Sequence, residues 1–236
     1  MKPSLAQRFA TAFLEGGRWK LYLQGLGTTL ELTVVALIFG VLLGLVVAVV
    51  RSAHDQQRIG RKNPVLGILN VLCQIYTTVI RGTPMLVQLF IWTFVIFPTQ
   101  RNKILVAFIG LGVNSGAYVA EIIRGGLMSV DAGQSEAGRS LGLGYFDTMR
   151  FIVIPQAFKN ILPSLGNEFI TLFKDTSLAQ AIGGMEMLYY ASTIGGRTFD
   201  YMPPLLGIAV MYLAIVIVFT WLQGRLERRL RESDRR

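Results

Sequence analysis

The 236-residue chain has one cysteine, one histidine and few charges, and each scarcity excludes something. Cys73 stands alone, so no intrachain disulfide can form; it lies in an apolar run, where a small buried hydrophobe is expected. His54 has no second imidazole or thiol at ligand spacing, which leaves no metal site to expect. No phosphate loop of the GxxxxGK[ST] type occurs, so the chain cannot supply ATP chemistry itself. Nor is there a nucleophile, base and orienting group in one place: Glu121 and Glu168 belong to opposite ends of two apolar runs. No enzyme is expected. Charged residues make up 16% of the chain, against about 25% in soluble domains. What fills the chain instead is 52% hydrophobic residues, with a mean hydropathy of +0.50, the balance of a membrane protein. The net charge of +9 then reads as cytoplasmic loops and headgroup contacts, since no nucleic-acid module accompanies it.

Taken in order, Lys2 to Lys20 is basic and amphipathic, with Phe9, Phe13, Leu14 and Trp19, and is predicted to lie on a membrane surface; no cleavable signal peptide is evident. Leu26 to Val50 is interrupted only by Glu31 and exceeds the roughly 20 apolar residues that cross a bilayer. A short basic loop, 51 to 62, follows. Val65 to Ile80 and Met85 to Pro98 are split by Arg81-Gly82-Thr83-Pro84, where proline biases Thr83 away from helical angles. They read either as one kinked span, with Arg81 at the inner interface, or as two. Ile104 to Ile123 is the next span, with Ser115, Gly116, Ala117 and Ala120 permitting close helix packing. Phe158 to Ile182 and Leu205 to Leu222 complete five spans, separated by an outer segment punctuated by Gly183-Gly184, Gly195-Gly196 and Pro203-Pro204. With the 51–62 loop, the 124–159 loop and the tail inside, fourteen basic residues are cytoplasmic against seven outside. That asymmetry predicts the N-terminus out and the C-terminus in. The expected organisation is an interfacial segment at 1–25, a membrane domain at 26–223 with its inner loop at about 125–157, and a basic cytoplasmic tail at 224–236.

The one long, glycine-rich, charged stretch between apolar runs is Asp131 to Ala157. Asp131 and Gln134 can start a short helix, Ala132, Gly133, Ala137 and Gly138 give it a thin face, and Glu136 can pair with Arg139 three residues on. Gly142 and Gly144 permit a turn with positive φ before Asp147 caps the next helix. On these grounds alone the stretch could equally be a solvated loop. Its spacing is more specific: Glu136-Ala137-Gly138, three residues, Gly142, nine residues, Ile152, one residue, Ile154-Pro155. This resembles the EAA motif of the membrane subunits of ATP-binding-cassette importers, departing from it at Gly138 (for alanine) and Ile154 (for leucine). Arg81-Gly82-Thr83-Pro84 and residues 114–126 look like permeases of the polar amino acid uptake subfamily, such as those for histidine, arginine and glutamine.

The resemblance implies an all-α, polytopic type I importer transmembrane domain in the bacterial cytoplasmic membrane, with a cytosolic coupling helix. In it Glu136, Ala137, Gly138, Arg139 and Gly142 would couple to an ATPase dimer that holds ATP and magnesium; this chain would hold no cofactor. A second permease copy or paralogue and an extracytoplasmic binding protein would complete the complex. The polar residues of the fourth span are read from depth. Counting ~1.5 Å per residue from Phe158 puts Glu168 about 15 Å into a ~30 Å core, where an ionisable group costs roughly 3 kcal/mol unless it faces protein or water. Asn167, Glu168, Lys174, Asp175, Thr176 and Ser177 are therefore predicted to line the substrate path, an internal Lys174–carboxylate pair being the bland alternative. Arg81, Glu121 and Arg124 fall at the inner boundary, as a gate or, for Glu121 and Arg124, as a simple i,i+3 pair. A different class of reading is a secondary or ion-coupled transporter using Glu168 and Lys174 as a relay.

Overall fold

The computed structural model describes residues 3–57 and 63–233, and among them there is no strand. Ten α-helices run in order: α1 (Leu5–Phe13), α2 (Trp19–Asp55), α3 (Pro64–Gly82), α4 (Met85–Phe90), α5 (Lys103–Met128), α6 (Ala132–Ser140), α7 (Tyr145–Thr148), α8 (Ile154–Asp175), α9 (Met187–Thr198) and α10 (Met202–Ser233). Short π-helical turns extend α4 through Ile91–Ile96 and join α7 to α8 over Met149–Val153, and a 3-10 turn carries α8 on through Thr176–Ile182. Basic residues at 2, 58, 61, 62, 235 and 236, counted above for orientation, lie outside the described residues.

The apolar runs and the helices do not share ends. The first helix spans 37 residues, beginning at Trp19 rather than Leu26 and ending at Asp55 rather than Val50. His54 is consequently a helical residue, with Nδ1 3.5 Å from Asp55 Oδ1, and not part of a loop. Likewise α10 continues to Ser233, so positions 25 and 224 lie inside helices. The reason is that hydropathy marks solvent, whereas backbone hydrogen bonding continues through polar residues that are good helix formers. Among the described residues four helices are long and apolar enough to cross a membrane: Glu15–Asp55, Pro64–Gly82, Lys103–Met128 and Met202–Leu230. The expected fourth span falls on α8, which starts at Ile154, carries Pro163 within the helix and is not one of these four.

Between Val65 and Pro98 there are two helices. Thr83, at φ −119° and ψ 145°, is extended, as its place before Pro84 requires, and that breaks the helical ladder. The second, Met85–Ile96, is short for a crossing: at 1.5 Å per residue its rise is roughly 18 Å.

The chain forms two compact units. In the first (residues 1–37, 84–112 and 169–222), Leu32, Ala36, Leu89, Val106, Leu111 and Leu172 build a buried core. Helix α1 opens with a reciprocal cap between Ser4 and Gln7, and Arg8 grips Asp200 with two hydrogen bonds of 2.6 and 2.7 Å. The Arg8 guanidinium holds the Asp200 carboxyl below its ordinary range. Phe13 stacks on Tyr22 at 4.6 Å, so part of the apolar face expected to meet lipid packs on protein instead, while Leu5, Leu14 and Trp19 stay exposed. Glu186, fully buried, caps α9 by accepting from the N–H groups of Leu188 and Tyr189 and from the Tyr212 hydroxyl. Burial pushes its carboxyl up to about 7, against the pull of those donors.

In the second unit (residues 38–83, 113–168 and 223–236), the small residues of α5 work as expected. A Cβ placed on Gly40 would stand 2.9 Å from Ser115 Cβ, and one on Gly44 would stand 2.9 Å from the Ala120 backbone nitrogen. Two helices approach this closely only where side chains are absent.

Candidate functional site

The stretch from Asp131 to Ala157 begins with the short helix expected there, with corrections in detail. Asp131 caps α6 by accepting from the Gly133 N–H at 2.7 Å, and Gly142, at φ +81°, ends it by turning into the left-handed region that a side chain resists. Gly144 contributes no positive φ; at φ −67° it is extended and is itself the N-cap of α7. Asp147 is therefore not a cap but sits in the first turn of α7, where a negative charge suits the helix dipole. No ion pair joins Glu136 to Arg139.

Of the thin face, Gly138 is buried within this chain: a Cβ there would come within 3.0 Å of both Ile152 Cδ1 and Thr148 Oγ1. An alanine at that position would press on both side chains. Glu136, Ala137, Arg139 and Gly142 are exposed. What the spacing did not point to are Leu141 and Phe146, 81% and 84% exposed beside them. Apolar side chains in a polar stretch were the available signal, since none of the described residues buries them. Behind them Tyr145 hydrogen-bonds Gln56 at the end of α2, and Ser135, Arg139, Leu143 and Met149 line a cleft of about 660 Å³. The stretch is thereby tied to α2 as well as to α8.

The polar residues of α8 and of the turn that follows it separate into different settings. Glu168 of α8 is half-buried, and its Oε1 accepts from the fully buried Ser115 hydroxyl of α5 at 2.8 Å. Asn167 does not join it. One position along a helix is about 100° around, and Asn167 Oδ1 instead accepts from Gln223 Nε2 of α10 at 3.0 Å. Further along α8, Thr176 is buried and donates to the Phe173 carbonyl, and Ser177 donates to that of Lys174, both at 2.7 Å. Lys174 is exposed and Asp175 half-buried, and no ion pair joins Lys174 to a carboxylate among the described residues.

At the inner boundary Glu121 and Arg124 are not a simple pair. Glu121 Oε1 bonds Arg51 of α2, its Oε2 stands 3.9 Å from Arg124 Nη1, and Arg124 also reaches Asp55 at 3.6 Å. This clamps the end of α2 to α5, and Arg51 and Asp55, missing from the sequence reading, complete it. Arg81 is elsewhere, its guanidinium over the Tyr118 ring at 5.4 Å, a cation–π contact. Among the described residues no group of acids, histidines or cysteines could hold a metal ion.

The described residues thus form a helical chain that presents a short helix with exposed apolar neighbours. Residues 63–232 match the family described as the binding-protein-dependent transport system inner membrane component, and the chain belongs to it. Membership makes it a multi-pass inner-membrane component and implies an ATPase partner and a substrate-binding protein. It is 36% identical to the arginine transport system permease protein ArtQ of Bacillus subtilis (strain 168), covering 90% of this chain and 93% of that one. To the putative glutamine transport system permease protein GlnP of Rickettsia prowazekii (strain Madrid E) it is 34% identical, over 88% of this chain and 92% of the other. Among solved structures, a chain from a crystal structure of an amino acid ABC transporter with histidines superposes with a TM-score of 0.83 at 36% identity, covering 97% of this chain and 100% of that chain.

Proposed function

We propose that this chain is the permease of an ATP-driven importer of polar amino acids. The observation that carries the reading is its likeness, over 97% of its length, to a chain of an amino acid transporter. In this reading α6 is the coupling helix, entering a groove of the ATPase with Glu136, Ala137, Arg139, Leu141, Gly142 and Phe146, while Gly138 holds α6 to its own chain. The ATPase dimer binds ATP and magnesium, and this chain has no cofactor. A second permease, alike or paralogous, faces it, and an extracytoplasmic protein delivers the cargo. Glu168, presented by Ser115, receives a cationic amino group of the cargo; Lys174, Asp175, Thr176 and Ser177 lie further along α8, toward the outer gate. Arg81, Glu121 and Arg124 belong to the inner boundary. A relay of Glu168 and Lys174 driving transport by this chain alone is not favoured: the two stand six positions apart, roughly 9 Å at helical rise.

Reconstitution tests the reading. With its ATPase and binding protein, the chain should drive ATP-dependent amino-acid uptake into liposomes; by itself it should move none. Robust uptake without any ATPase would overturn it.

The N-terminus is taken as outside and the C-terminus as inside, with residues 1–25 interfacial, 26–223 the membrane domain and 224–236 the tail. In a Cys73→Ser background, Gln57→Cys and Arg228→Cys should resist an impermeant thiol reagent added to intact cells, and Gln100→Cys should react. Labelling of Thr83→Cys from outside would give two crossings between Val65 and Pro98.

A further inference from the structure

Beside the inner-boundary clamp is an open cavity of about 440 Å³, lined by Glu121, Ile122, Gly125, Gly126 and Ser129 of α5 and its following turn and by Asn160 and Ser164 of α8. The α8 contribution is periodic. Asn160, Ser164 and Glu168 are spaced by four and so share one face of that helix. At its far end this row meets α5 at Ser115, which hydrogen-bonds Glu168; at its near end Asn160 Nδ2 donates to Ser129 Oγ at 2.8 Å. A polar seam thus runs between the two helices from Glu168 toward the coupling stretch, and the cavity opens along it. Gly126 keeps the seam tight on its other side, since a Cβ there would fall 2.2 Å from Ile161 Cγ1.

Glu121 is the one charged residue among those lining the cavity. Arg51 takes its Oε1, whereas its Oε2 is only loosely approached by Arg124 at 3.9 Å, beyond hydrogen-bond reach, and its side chain is 26% exposed. Oε2 therefore keeps lone pairs for a donor arriving in the cavity. The same cavity also carries the Ser164 hydroxyl and the bonded Ser129 hydroxyl and Asn160 carboxamide, polar groups that can solvate an ammonium or guanidinium. Glu121 lies six residues from Ser115 along α5, about 9 Å, so this carboxylate stands roughly two helical turns inward of Glu168.

We infer that the Glu121–Asn160–Ser164 cavity is a second station for the cationic group of the cargo, which it occupies after leaving Glu168 and before release. The inference rests on the proposed import function and deepens it. Two carboxylates in series let a cation move inward by exchanging one anionic partner for another, without being stranded unpaired in a low-dielectric core. Occupation of Oε2 by the cargo also competes with Arg124, which couples the passage to the clamp between α2 and α5.

The test needs no knowledge of which amino acid is carried. In the assembled transporter, with Cys73→Ser, Ser164→Cys is treated with a cationic methanethiosulfonate, the trimethylammonium-ethyl reagent, and with the anionic sulfonatoethyl reagent. A carboxylate focusing its field on the cavity should favour the cation by about tenfold over their ratio on free cysteine, and Glu121→Gln should erase the preference. If Glu121→Gln does not assemble, raising the salt on the parent should erode the same preference. Modification by the cationic reagent should also cut uptake at least tenfold. Equal relative rates for the two reagents, or full uptake after complete modification, would overturn the second station. Failure of the Glu168 reading looks different: Glu168→Gln would then transport normally while charge selection and block at Ser164→Cys persisted.

Discussion

Glu168→Gln should lower amino-acid uptake by the reconstituted transporter by about ten- to a hundredfold while leaving assembly and basal ATP hydrolysis near the parent's. Glutamine keeps the shape of the side chain and an oxygen for the Ser115 hydroxyl, which donates to Oε1 at 2.8 Å, so the contact between α5 and α8 survives. What is lost is the negative charge. A hydrogen bond to a charged partner contributes roughly 1.5–3 kcal/mol, and each 1.4 kcal/mol is tenfold in an equilibrium, which sets the expected range. A second control comes from Ser115→Ala, which leaves the charge but removes its fixed donor; uptake should fall by a smaller factor, with the change mainly in apparent affinity. Uptake by Glu168→Gln equal to the parent's would make Glu168 a structural residue and move the cargo path elsewhere.

Leu141→Asp should uncouple the transporter. The leucine is 81% exposed in this chain, so aspartate there costs the isolated permease almost nothing. In a partner's apolar groove the same carboxylate would be desolvated without a counter-charge, at a cost of several kcal/mol. The expected result is a membrane-inserted permease that no longer co-purifies with its ATPase and shows no substrate-stimulated hydrolysis. Gly142→Asp should reach the same end by another route. At φ +81° any side chain strains the backbone by about 1 kcal/mol, enough to misplace a docked turn although not to unfold a whole protein. Here the ATPase should still co-purify, with stimulated hydrolysis reduced several-fold. Normal stimulation in both variants would remove α6 and its flanks from the coupling surface.

Much of this architecture was legible in the chain as written, because it follows from local rules. Apolar runs of bilayer length, the extended Thr83 before Pro84, the Asp131 cap and the left-handed Gly142 each depend on a residue and its near neighbours. The fixed spacing around Glu136 and Gly142 pointed to the family for the same reason, since a motif is read from residues at set intervals in one stretch.

Which polar groups face one another was not legible, because that depends on rotation about helix axes and on contacts between distant segments. Asn167 and Glu168 are adjacent in the chain yet bond to different helices, α10 and α5. Glu121 and Arg124 are placed to pair by sequence, but Arg51, seventy positions away, holds the glutamate more closely. The sequence by itself determined that the chain is helical, has apolar runs long enough to span a membrane, and carries the motif spacing of its family. Only the tertiary structure decided that Ser115 presents Glu168, that Gly138 packs inward while Leu141 and Phe146 stay uncovered, and that Asn160, Ser164 and Glu121 line one open cleft. The physical reason is that a side chain's partner is fixed by the packing of helix against helix, and neither hydropathy nor spacing along one chain encodes that rotation.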